Sequence, residues 1–588
     1  LDEVVRIAVL LSLFSIALAR GQEFFPLKDV HAGLHGIGKT VFQGDQIEEF
    51  QVEILGVLEN FGPKQPIVLA RLSGGPLAET GILQGMSGSP VYIGGKLLGA
   101  VALGFPFSKE PICGIQPIEG MLSGATTGPL PGQSGFGFNS AVQQVSSGSL
   151  SNLADIRTPL SVSGFTAKTV TTFDDTMRRL GLISQPLSAN TSVAANGQKS
   201  PKAMNLQPGS MISVGLVTGD WNMTADGTVT YIDGKHIYAF GHRLLGLGPT
   251  EIPLAYSNVI ACIPSTNSSF KLSSPQQWIG TIFSDHATAI AGELGRTART
   301  IPVQIDVQSA STGNHDYHVQ IVNDRLLTPF LTQAVLFSTL DATERAIGTG
   351  TLKLQGEVHF EGNLPPLALH DVFVSDSGLT QQAAADAVVT LAFVLGGGFH
   401  DLRVKDISFR LDELDSKKQL RLAQVWTSAH DVKAGETVDI TAVLQAENGV
   451  EVVKTIPYKV PAGAPLGALN LTLSDGNTLN FPEFAGIAQT QFKTAASLIE
   501  AVNRYRSSGS LYVRVWRQQA GFNVAGAMPG GELSDPPPSI ALVLADTSST
   551  ASSGATANTR GSDVAQLSTE LKGYVVTGAK TIQIEVKE

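Results

Sequence analysis

The sequence predicts a mainly β protein of several domains, and three observations carry that expectation. Short runs of alternating apolar and polar residues recur between turn residues, glycine is abundant at 62 of 588 positions, and no long stretch of helix formers repeats. At ~150 residues per domain, the length suggests about four domains. Apolar residues make up 43% of the chain and charged residues 15%. That is enough to build sizeable cores, with too few charges for a disordered chain. The same composition excludes a coiled coil, a helical solenoid and a collagen-like fibre. With 40 Lys and Arg against 51 Asp and Glu, the formal charge is -11. This argues against a nucleic-acid partner, which selects for a basic stripe.

Taken in order, residues 1–21 read as a signal peptide. Ile7 to Ala19 is an apolar run of 13 behind Arg6 and ends in Ala17-Leu18-Ala19, a small-x-small cleavage pattern. The run is short for a membrane span, so the expectation is an exported chain (periplasmic, cell-surface or extracellular). Residues 22–125 form a first strand-rich block, with Lys39–Phe42, Phe50–Val57, Ile67–Leu72 and Pro90–Phe105 as strands. Residues 126–206 read as a Gly/Ser-rich linker with a short helix at Asp174–Leu180. A second β block covers 207–310. Residues 311–400 are mixed, with a strand at Leu352–Phe360 and a buried helix at Gln381–Leu395. Alternation returns over 401–588 (Leu402–Leu411, Val438–Leu444, Leu511–Trp516) and favours one or two β-sandwich modules of the immunoglobulin-like kind. A stretch near 546–562 (DTSSTASSGATANTRGS) reads as disordered.

The most informative segment is Gly85-Met86-Ser87-Gly88-Ser89-Pro90. A serine that attacks a carbonyl needs a tight turn that exposes its hydroxyl and aims backbone N–H groups at the developing oxyanion. Glycines around Ser87 permit such a turn, and the amides of Gly85 and Ser87 are the natural donors. Val91-Tyr92-Ile93, Gly94-Gly95 and Lys96–Val101 read as a hairpin that would hold the turn rigid. Ser89 reads as a turn residue. A serine hydroxyl also needs a base. Of eleven histidines, His242 stands out, because it follows a strand–turn–strand pattern (GTVTYIDGKHIYAFGH) directly after a glycine.

These two segments resemble those of the SpoIVB-type serine peptidases (the S55 family). GMSGSPVYIGGKLLGAV looks like the family's nucleophile motif, and more distantly like the Gly-Asp-Ser-Gly-Gly-Pro turn of chymotrypsin-like proteases. HGIGKTVFQGDQIEEFQVEILGVL and GIQPIEGML are similar to its flanking blocks, and the Gly-His after the hairpin resembles its histidine motif. The resemblance implies a chymotrypsin-like two-barrel core, with Ser87 as nucleophile, His242 as base and protein or peptide as substrate. The order is inverted relative to the family, since Ser87 precedes His242, which implies circularly permuted halves. Where the family carries an Asp ahead of its serine, this chain has Ala70-Arg71-Leu72-Ser73-Gly74-Gly75.

Permutation places the acid after the histidine, which singles out Asp285. Asp233, Glu79 and a dyad oriented by a backbone carbonyl stay open beside it. His31, His35 and His286 rival His242, while His315 and His318 share a strand face without a third ligand for a metal. No metal or organic cofactor is expected. Cys113 and Cys262 are the only cysteines; they either pair across distant segments or stay separate buried thiols. The leading functional expectation is a secreted serine endopeptidase. The alternative is a non-catalytic cell-envelope scaffold, binding a partner through its C-terminal modules. A third option is self-cleavage within 126–206.

Overall fold

The structure, a computed structural model, describes residues 22–62, 65–124, 153–186, 206–309, 312–343, 350–376, 378–524, 532–534 and 555–588. The signal-peptide segment, most of the Gly/Ser-rich linker and residues 546–554 of the expected disordered stretch lie outside them. The chain divides into two compact units, Leu1–Thr300 with Gln320–Asp324, and Ile301–Val319 with Arg325–Glu588.

The first unit opens with six strands: β1 (His35–Val41), β2 (Ile47–Gly62), β3 (Gln65–Ser73), β4 (Pro90–Ile93), β5 (Lys96–Gly104) and β6 (Ile112–Pro117). They pair in the order β4-β1-β2-β3-β6-β5, and β4 also pairs with β5, so the circuit closes into a barrel. Alternation explains the inward face. On β2, Phe50, Val52 and Ile54 are buried while Gln51 between them is exposed. They meet Val68, Ala70 and Leu72 of β3 and Leu98 and Val101 of β5 in one core. Each such side chain, fully withdrawn from water, contributes about 1.5–3 kcal/mol. The expected hairpin is present. Gly94 and Gly95, at φ 56° and 81°, join β4 to β5, the paired positive angles of a two-residue hairpin turn.

Nine further strands follow: β7 (Ala154–Asp155), β8 (Thr158–Ser163), β9 (Leu182–Pro186), β10 (Met211–Gly219), β11 (Asn222–Asp233), β12 (His236–Ala239), β13 (Gly248–Ile263), β14 (Phe270–His286) and β15 (Ala289–Leu294). β7 pairs with β5. The others belong to a large mixed sheet running β10-β13-β14-β15-β12-β11-β8-β9, in which β10 also pairs with β11. Bridges from Gly44 to Val259 and from Gln84 to Phe270 tie this sheet to the barrel. The helix expected at 174–180 spans Ala167–Arg179. Thr166 caps its start by accepting from the Thr169 amide at 3.2 Å, and Gly181, at φ 82°, follows its end.

In the second unit, strands Leu367–Ser375, Gly350–Phe360 and Val404–Leu414 run antiparallel. Thr300–Ser309 joins Val404–Leu414 in parallel. Helices Leu327–Thr343 and Leu379–Leu395 pack on each other. The second is the buried helix expected at 381–395. The first was not anticipated, because almost every face of it is buried and so it carries no amphipathic period. Farther on, a four-stranded sheet (Glu451–Lys459, Thr437–Gln445, Gln419–Thr427, Val575–Thr577) and a six-stranded one built around Gly467–Ser474 and Ser510–Val524 bury a single shared core. Residues 555–562, part of the stretch expected to be disordered, lie in a strand, Ala555–Glu570, paired along Ser510–Val524. Backbone pairing defines a strand in a segment whose composition reads as disordered.

Candidate active site

The nucleophile turn is held by three of its amides. Those of Met86, Gly88 and Ser89 donate to the carbonyls of Leu83 (3.1 Å), Val101 (2.8 Å) and Met86 (2.9 Å). No hydrogen bond among the described residues uses the amides of Gly85 or Ser87. Two uncommitted N–H groups flanking a serine are what an oxyanion site requires. The Met86 side chain sits in the barrel core and fixes the turn from below. Gly85 and Gly88 hold φ of 88° and 93°. A Cβ on Gly88 would also overlap the Thr228 carbonyl oxygen and the Phe240 amide. Only glycine fits there.

That overlap locates the histidine. β11 and β12 lie against the turn: the Thr228 amide donates to the Ser87 carbonyl at 2.9 Å, and the Thr228 and Thr230 hydroxyls donate to the carbonyls of Gly85 and Gly88 at 2.9 and 2.7 Å. After β12 the chain bends sharply. Phe240, at φ 71°, is one of two non-glycine residues with a positive φ among the described residues, and Gly241 follows at 70°. The Phe240 amide donates to the Thr228 carbonyl at 3.2 Å, which helps hold this costly conformation. A Cβ on Gly241 would lie 3.0 and 3.1 Å from those of Ala100 and Ala102. Both turns therefore converge on one short stretch of β5, and bring together two blocks separated in sequence.

Ser87 is 0% exposed and His242 3%. The Ser87 hydroxyl and the His242 Nε2 are both buried without a hydrogen-bond partner. His242 Nδ1 lies 2.6 Å from the Arg243 carbonyl oxygen. A carbonyl only accepts, so Nδ1 carries the proton and Nε2 carries the lone pair, the tautomer a general base needs.

Asp285 does not occupy the acid's position at Nδ1. Its carboxylate accepts from the amides of Leu244, Leu245 and Gly246 at 2.8 Å each and from Leu247 at 3.2 Å. Burial raises its pKa and these amides pull it back. It pins the loop directly after His242. Asp233 and Glu79 are exposed. The arrangement present is the one left open earlier, a histidine oriented by a backbone carbonyl.

The rival histidines have other surroundings. His31 Nδ1 contacts its neighbour's carbonyl oxygen at 3.0 Å, and His286 Nε2 contacts that of Met121 at 3.2 Å, leaving its buried Nδ1 unpartnered. His35 is exposed. His315 stacks on Tyr317 and His318 lies 3.7 Å from Asp316, so the two histidines, three residues apart on the strand Gly313–Val322, point to opposite faces and do not share one as expected. The pairing option for the cysteines is not realised, since both are free thiols. Cys113 is wholly buried, and Cys262 Sγ lies 3.2 Å from the Phe42 carbonyl oxygen.

Lys271 escaped the sequence reading. It is wholly buried beside Gly85, whose Cβ position would lie 3.3 Å from the lysine's own Cβ. Its ammonium donates to Thr40 Oγ1 at 2.6 Å, and the Ser89 hydroxyl donates to the same oxygen at 3.0 Å. Desolvation lowers its pKa to about 7, with Cys262 and Glu48 opposing. Its sequence neighbours carry no signal, because burial of a lysine depends on strands far away in the chain.

Residues 25–122 match the model of the SpoIVB peptidase S55 family. The match takes in the whole barrel and the Ser87 turn, while His242 lies beyond it. No curated protein and no solved structure matches the chain at a significant level.

Proposed function

We propose that this chain is a serine endopeptidase, with Ser87 as nucleophile and His242 as general base. The observation that carries the reading is the Ser87 turn itself, with two uncommitted amides and an unpartnered hydroxyl, packed against the strands that lead to His242, whose Nε2 is also unpartnered. Ser87 Oγ bonds to the substrate carbonyl carbon as its proton passes to Nε2, and the carbonyl electron pair settles on the oxygen facing the Gly85 and Ser87 amides. Each such donor is worth about 2.7–4 kcal/mol to the transition state. Collapse expels the amine, which takes the proton from Nε2 and leaves an ester on Ser87. Water then attacks the acyl carbon, giving its proton to Nε2, and the proton returns to Ser87 as the acid departs.

Two features support the finer architecture within this reading. The double pairing of β10, with β11 and with β13, is what a second barrel would need, so a permuted two-barrel core fits. Two sheets around one core fit a C-terminal sandwich that engages a protein substrate or a cell-envelope partner. Export belongs to the same proposal and rests on the apolar run ending in Ala17-Leu18-Ala19.

A second reading, a non-catalytic scaffold, is favoured by the absence of a hydrogen bond between Ser87 and His242 and by the burial of both. A fluorophosphonate probe separates the two. The peptidase reading expects labelling of the wild-type chain that falls at least about 100-fold in Ser87→Ala and in His242→Ala, with thermal melting unchanged. No labelling of a folded wild-type chain near neutral pH supports the scaffold.

A further inference from the structure

One edge of β5 is filled in sequence by three different pieces of chain. β4 pairs along Lys96 to Ala100. The nucleophile turn comes next, with the Gly88 amide donating to the Val101 carbonyl at 2.8 Å and the Val101 amide to that of Ser89 at 3.0 Å. Beyond a bulge between Val101 and Leu103, the same strand takes up residues 154–156. The Ile156 amide donates to the Ala102 carbonyl at 2.9 Å, Asp155 faces Leu103, and Ala154 faces Gly104. The other edge of β5 belongs to β6. An antiparallel peptide therefore lies beside the nucleophile turn, with Ile156 nearest to it.

Its side chains are also received. Ile156 is 5% exposed and joins the barrel core, its Cγ1 3.6 Å from where a Gly104 Cβ would stand, with Ile82 next to it. Asp155 Oδ2 lies 3.7 Å from Nε of Arg243, the residue after His242. Leu153 is buried against Ala102 and Leu103. An apolar recess, a cation and a row of backbone donors and acceptors on a strand edge are the components of peptide recognition by strand addition.

We propose that Ala102–Gly104 is the edge on which a peptide substrate binds as an added antiparallel strand. The edge selects an acidic residue followed by a branched aliphatic one, and Leu153–Arg157 of this chain is seated there as an internal substrate mimic. The proposal rests on the peptidase reading for its meaning, and a binding experiment tests it without catalysis. A peptide added from outside must displace the internal segment, so its affinity is reduced by the fraction of time that segment is in place.

The experiment uses the full chain carrying Ser87→Ala and follows fluorescein-labelled Leu-Ala-Asp-Ile-Arg by anisotropy. Adding Asp155→Ala and Ile156→Ala should raise its affinity about tenfold or more. The Leu-Ala-Lys-Ile-Arg peptide should bind about fivefold more weakly, and Arg243→Glu should reverse the order of the two peptides. Hydrogen exchange at 102–104 and 153–157 checks that the segment has left the edge. Should the double replacement not fold, Asp155→Lys alone, at an exposed side chain, should still raise the affinity. Equal affinity with the segment displaced, or indifference to the peptide's charge, overturns the proposal. Loss of probe labelling in the Ser87-intact chain overturns the peptidase reading instead, so the two failures are distinct.

Discussion

Gly88 carries two demands that no other residue meets together, a φ of 93° and room for the Thr228 carbonyl. Gly94 carries only the first, since nothing lies within 4 Å of its Cβ position. Gly94→Ala should therefore cost about 1–2 kcal/mol of stability, the usual cost of a left-handed residue, with probe labelling retained. Gly88→Ala should abolish labelling, because the turn must move away from β11 and β12 to admit a methyl group. Labelling of both variants at the wild-type rate would disprove this account of the turn. Asp285 allows a similar separation of roles. Removal of a triad acid costs about 10⁴-fold, whereas Asp285→Ala releases a loop through four amides. Labelling should fall about 10- to 100-fold, and a drop near 10⁴ would restore Asp285 to the acid's role.

At the level of single elements, β14 brings a lysine into the interior beside the nucleophile turn. Lys271 has a folded pKa of about 7 against an ordinary 10.5. Between those values the unfolded chain holds more protons than the folded one, so stability rises with pH across the window and is lost as pH falls back towards 7. Lys271→Met should flatten that rise in melting temperature between pH 7 and 10; an unchanged slope would show that another group governs it. The sequence marks some elements far better than others. Glycine pairs and alternation expose β2, the β4–β5 hairpin and the β11–β12 hairpin, because turn chemistry and side-chain burial are local properties. Ser87 and His242 are legible for the same reason, each standing at a glycine beside a hairpin. The Arg243 carbonyl that orients His242 is a backbone atom with no residue signature. Lys271 and Asp155 take their surroundings from strands remote in sequence, and the uniformly buried helix at 327–343 has no periodic face to read.

For the whole molecule, the division into two compact units sets the expectation for unfolding. The core of the C-terminal sheets gathers Leu420, Ile440, Leu471, Val513 and Ile584, all buried and all within the second unit. Ser87 and His242 both lie in the first. A chain that divides into two compact units need not melt as one two-state system, so calorimetry should resolve two transitions. Leu471→Ala removes a fully buried side chain and leaves a cavity, which should destabilise its unit by about 2–5 kcal/mol. One transition should move down by several degrees, and labelling of Ser87 at room temperature should proceed at the wild-type rate. If the single replacement shifts both transitions equally, or slows labelling in step with melting, the units fold as one body. The nucleophile turn would then depend on the C-terminal sheets for its shape.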